Sequence, residues 1–153
     1  AVYRRSLYVF WRRIIAPTMF FDVASRQSCS VRAVRTNTPL HALLTLNETT
    51  YVECSRVLAE QLLTDPQLTD DAARIRTACL RILSRPPLPN EVTVLQNGLR
   101  RSRREYSAEP TFAEQLLSVG DSPRNTSVDT TEHAAWTSAC LILLNLDETL
   151  NHE

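Results

Sequence analysis

Two glycines, Gly98 and Gly120, are all that 153 residues contain, and no Asn-Gly or Asp-Gly pair stands anywhere in the chain. Tight two-residue hairpins need positive φ at their centre, which glycine adopts without a Cβ penalty. So little glycine leaves few ways to reverse a strand, and the chain points instead to helices separated by its eight prolines. With 43% hydrophobic residues it is large and apolar enough to bury a core without disulfides or metals. The expectation is an all-α fold: a multi-helix bundle with an irregular N-terminal segment, residues 1–153 forming a single helical domain.

Helix starts and stops can be read along the chain. The apolar run Leu7 to Ile15 reads as a short buried helix ending before Pro17, and residues 18–35 carry no sustained period. Thr38-Pro39 is a hydroxyl cap followed by proline at the first helical position, opening a helix that should bury Leu40, Leu43 and Leu44. Asn47 should cap the next helix, whose inward stripe is Tyr51, Val52, Leu58, Ala59, Leu62 and Leu63, with an end near Asp65-Pro66. Asp70-Asp71 opens another, turning Ala72, Ile75, Cys79, Ile82 and Leu83 inward until Arg85-Pro86-Pro87 breaks it. Pro89 and Glu91 begin a helix with Val92, Leu95, Leu99 and Tyr106 on one face and Arg100, Arg101, Arg103 and Arg104 largely outside it. Thr111 and Glu114 have capping-box spacing, with a short helix to about Val119 and a stop at Gly120. Asp129 to Glu132 resembles a helix start, and the run Ala134 to Leu146, apolar nearly all round, should be the central helix.

Charge excludes some functions. Arginine supplies all 17 cations, balanced by 17 carboxylates, so no net field draws the chain to nucleic acid or an anionic membrane. Guanidinium suits buried or interfacial pairing with carboxylates better than ammonium does. The cluster Arg100-Arg101-Ser102-Arg103-Arg104 has no interleaved aromatics for base stacking and reads as a solvated or ion-paired face. No apolar run reaches the roughly 18 residues of a membrane span. Residues 1–5 lack the layout of a cleavable signal, so the chain reads as a fragment of a larger protein, with any targeting signal upstream.

Catalytic constellations are not legible. Cys29, Cys54, Cys79 and Cys140 form no C-x-x-C, and three of them fall on apolar helical faces, reading as buried free thiols. His41 and His133 each stand apart from a second ligand at helical spacing and read as structural or surface residues. Neither a strained serine elbow nor a phosphate-cradling glycine loop occurs. The acceptor patterns at Asn47 and Asn125 read as coincidence.

The stretches Arg4 to Tyr8, Phe10 to Arg13, Phe21-Asp22, Arg26, Cys29, Arg32, Arg35 to Leu40, Leu46-Asn47, Ala134 to Trp136 and Leu143 to Glu148 together resemble one family. It is the planctomycete-specific C-terminal domain of unknown function found in large cytochrome-c-linked proteins. The resemblance implies an exported or periplasmic multidomain protein of which this chain is the last part. It also implies no cofactor within the chain, any haem being carried by an upstream domain.

The expected role is a non-catalytic scaffold or interaction module, partnered by upstream domains of the same polypeptide or by another protein. Its binding candidates are Arg32, Arg35, Asn37, Asn145, Asp147 and Glu148, with Arg32 and Arg35 expected to meet Asp147 and Glu148, and Asn37 and Asn145 expected to be structural amides. The enzymatic alternative is part of a polysaccharide-processing or redox site completed upstream, using Asp22, Asp147, Glu148 and arginines. Glycosidase chemistry would need two carboxyl groups at a defined separation.

Overall fold

A computed structural model describes residues 39–150, which form seven α-helices with no strand among the described residues. They are α1 (Pro39–Asn47), α2 (Thr49–Thr64), α3 (Asp71–Leu83), α4 (Pro89–Ala108), α5 (Pro110–Leu117), α6 (Thr130–Leu144) and α7 (Asp147–Leu150). The expected helix at residues 7–15, the irregular segment 18–35, the Thr38 cap and the side chains of Leu40 and His41 lie outside the described set.

Three helix starts are fixed by carboxylate caps. Asp70 accepts from the Ala73 amide at 2.6 Å to start α3, and Asp129 accepts from the Glu132 amide at 2.9 Å to start α6. Two expected caps are corrected. Glu48, not Asn47, caps α2: its carboxylate takes the amides of Thr50 at 2.7 Å and Tyr51 at 3.2 Å. Asn47 completes α1 instead, its Nδ2 donating to the Leu43 carbonyl at 2.7 Å. Thr111 forms no capping box, because Pro110 takes the first helical position and moves the start of α5 ahead of the threonine, leaving Glu109 as a cap without a side-chain bond. The helix also ends sooner than expected, at Leu117.

Helix α6 is the axis. Ala135, Trp136, Ala139, Cys140 and Leu143 are buried against Ala59 and Leu62 of α2, Ile75, Ala78 and Cys79 of α3, and Leu99 of α4. Its alanines let neighbouring backbones approach closely, so α6 is packed on several sides, but it ends at Leu144 rather than Leu146 and leaves Ile142 51% exposed. Ala134 turns to a second, smaller cluster with Ala113 and Leu117 of α5.

Three inward assignments fail, and one is met only in part. Leu43 is 59% exposed and Leu44 only half-buried, since Thr45 takes the inward position of α1. Ala72 is exposed because the first turn of α3 is the polar end where Asp71 meets Arg103. Cys54 is exposed on α2, whereas Cys79 and Cys140 are buried free thiols. Burial pushes the Cys140 thiol up to about 12, so it is inert near neutrality.

The α5–α6 connection turns at Gly120, whose φ of +99° is reserved for glycine in practice. A Cβ there would collide with the buried Glu53 side chain. Gly120→Ala is expected to lose about 2–4 kcal/mol, combining backbone strain with overpacking. Urea denaturation measures this, and a loss below about 0.5 kcal/mol, the scale of neutral surface changes, would contradict it.

Candidate functional site

The least expected chemistry lies inside the protein, on one face of α2. Glu53, Arg56 and Glu60 stand at helical spacing, and Glu53 and Arg56 are buried at 3% and 1% exposure. They hold the polypeptide between α5 and α6. Glu53 Oε1 accepts from the Ser122 amide at 2.5 Å and from the Ser122 hydroxyl, while Arg56 Nη2 donates to the Ser122 carbonyl at 2.8 Å. One residue's N–H and C=O are thus bound by opposite charges, which lie 3.8 Å apart as an ion pair. Further along the same face Glu60 accepts from the Asn125 amide at 3.2 Å.

His133 of α6 closes this polar layer from the opposite side. It is fully buried, and its Nε2 lies 3.0 Å from the Arg56 carbonyl, a contact that requires the proton on Nε2 when the ring is neutral. Desolvation holds its pKa below the ordinary 6.5, against the hydrogen bond to Arg56 and the charge of Glu60; the charges of Arg124 and Arg56 also lower it. His133 Nδ1, Arg56 Nε and Nη1, Arg124 Nε and Trp136 Nε1 are buried without a hydrogen-bond partner.

Two arginine forks brace the outside. Arg85, in the α3–α4 connection, takes Glu148 through Nε and Nη2 at 2.6 and 2.7 Å, and Glu91 through Nη1 and Nη2 at 2.9 Å each. Glu91 also accepts from the Leu88 amide at 2.7 Å, and the guanidinium followed by this amide brings its carboxyl down to about 2. The same guanidinium holds Glu148 below the usual carboxylate range. Arg103 of α4 takes Asp71 at 2.6 and 2.9 Å and Glu132 at the same two lengths, joining the starts of α3 and α6. The arginine run is thus ion-paired as expected, Arg103 half-buried between two carboxylates and Arg101 pairing on the surface with Glu105 at 2.8 Å.

Of the expected site residues, the structure describes Asn145, Asp147 and Glu148. Glu148 belongs to Arg85. Asn145 ends α6, and its side-chain oxygen accepts from the buried Thr45 hydroxyl of α1. Asp147 is the exposed first residue of α7. Asp22, Arg32, Arg35 and Asn37 lie outside the described residues. The Glu53–Arg56–Ser122 arrangement went unread; its one sequence signal is a charged pair at i, i+3 inside the apolar stripe of α2. Among the described residues no three His, Cys, Asp or Glu side chains gather as a metal site. No described helix is long and apolar enough to cross a membrane.

These features define an all-helical domain whose ionisable groups are largely bound to one another or to backbone. The chain belongs to the PSD1 family, a protein of unknown function (DUF1553), whose model matches residues 1–99. The match takes in α1 to α3 and half of α4, while the closing Ala134 to Glu148 stretch lies beyond it. No curated protein and no solved structure matches the chain.

The buried histidine makes stability depend on pH. Its folded pKa is depressed, so below about 6.5 the unfolded chain takes up a proton that the folded chain refuses. Stability is expected to fall from pH 6.5 down to the depressed value and then to stop responding to this group. Urea midpoints at pH 7.5 and 5.5 should differ for the native chain, and the difference should shrink in His133→Gln; equal slopes in both proteins would contradict the assignment.

Proposed function

We propose that this chain is a non-catalytic scaffold or interaction module of a larger exported protein linked to a cytochrome c. Its partners are the upstream domains of the same polypeptide, or a protein bound with them. It carries no cofactor of its own, haem residing upstream. The observation that supports this most is the state of Glu148. A general acid works with a pKa raised towards neutrality, whereas Arg85 holds this carboxyl in two short hydrogen bonds and lowers it. Ion pairing of Arg101 and Arg103 speaks for a domain that does not bind nucleic acid. The export and cytochrome linkage rest on the family resemblance of residues 4–40 and 134–148.

The test uses the full-length protein. Upstream domains produced separately should bind this chain in a calorimetric titration, and Asp147→Asn with Glu148→Gln should leave polysaccharide hydrolysis and haem reduction within about tenfold of the native rate, some 1.4 kcal/mol in barrier. Failure to bind would remove the module reading. A drop of about 100-fold or more, the scale of a lost general acid, would favour a polysaccharide-processing or redox site completed upstream.

A further inference from the structure

The neutrality of the chain conceals two opposite parts. Residues 1–38 carry seven arginines and one carboxylate, Asp22, whereas residues 39–153 carry ten arginines and sixteen carboxylates. Half of those ten, Arg56, Arg74, Arg85, Arg101 and Arg103, are already paired with carboxylates of the helical body. The body is therefore acidic, and the excess cation that balances it lies in the preceding 38 residues.

The body also shows an apolar face where that segment joins it. The hydrogen bond from Thr45 to Asn145 ties α1 to the end of α6. Leu46 and Leu146 immediately follow the two bonded residues, and Leu43 and Ile142 stand about one turn before them. All four are exposed, at 36%, 37%, 59% and 51% respectively. Leu43 and Leu46, three apart on α1, share a helix face, while Ile142 lies in the last turn of α6 and Leu146 in the short connection to α7, directly before Asp147. The Thr45–Asn145 bond brings the two pairs to the same end of the body, and exposed apolar side chains brought together beside charged ones mark contact surfaces.

From these observations we infer that the Leu43, Leu46, Ile142 and Leu146 face is the docking surface for the chain's own residues 1–38. The segment enters at Pro39, one helical turn from Leu43, so its local concentration at this face is high without any second molecule. It carries apolar groups to cover the leucines, Trp11, Ile14, Phe20 and Phe21 among them, interspersed with the arginines that match the acidic body. The family match spans residues 1–99, so it takes in both the segment and the first helices. This deepens the interaction-module reading by making the first partner internal, and it stands or falls separately from binding to upstream domains.

Hydrogen–deuterium exchange on the whole 153-residue chain tests it. Amides within residues 1–38 should exchange at least about tenfold more slowly than unstructured amides, equivalent to ~1.4 kcal/mol. Leu43→Glu combined with Ile142→Glu should abolish that protection and leave α2 and α6 protected, while Val94→Glu, on an exposed position of α4, should change nothing. Protection should weaken in about 1 M salt, where the Debye length shrinks to roughly 3 Å. Unprotected amides in the native chain, or protection indifferent to the double variant, would overturn the proposal. Protection that appears only as light scattering reports a dimer would overturn it in favour of a second copy.

Discussion

A single buried ion pair, Glu53 with Arg56, determines where the α5–α6 connection can lie. That connection has little secondary structure of its own, and its buried amides and carbonyls need partners from elsewhere. Glu53 takes the N–H of Ser122 and Arg56 its C=O, so the loop is held at one residue by two charges that also compensate each other. Because α6 begins at Thr130, only a few residues beyond, fixing Ser122 and Asn125 also restrains where the central helix starts. Buried pairs of this kind rarely surpass a hydrophobic substitute in net stability. What this one supplies is position, and Gly120 makes room for it by leaving Glu53 undisturbed.

Outside that interior, arginine acts as a cross-brace. Arg85 and Arg103 each hold two carboxylates from different elements through several N–H donors. Lysine, a point charge with three donors, could not reproduce two planar contacts at once. The wholly arginine composition thus has a structural use in this protein, whatever its origin. The braces also account for the quiet chemistry of the surface: Asp71, Glu91 and Glu148, whose carboxyls are otherwise able to act as acids or bases, are drawn down by guanidinium.

Scarcity of glycine, proline-marked breaks and the all-round apolar run of α6 made the helical class and the central helix readable in advance, and Asp70 and Asp129 marked two starts correctly. Errors arose where two local signals competed. Glu48 outranked Asn47 because its backbone is already extended and its longer side chain reaches two amides. Pro110 outranked Thr111 because a ring-fixed φ starts a helix earlier than a hydroxyl can. The interior polar layer was hidden for another reason. Its partners are backbone atoms 66 and 69 residues away, and no pattern in α2 announces which loop a buried charge will bind. Glu148 stands out in the sequence, yet its partner Arg85 sits in a proline-rich break that carries no signal of an ion pair.

A double-mutant cycle at Glu53 and Arg56 tests this account most directly. If the pair positions the loop, Arg56→Met alone should destabilise the protein by about 3–5 kcal/mol, because it strands a buried carboxylate. Glu53→Leu alone should be similarly damaging, and the double variant should lose at least about 1 kcal/mol less than the sum of the two. Strictly additive losses, or single losses within about 0.5 kcal/mol of the native chain, would show that the pair does not hold the loop.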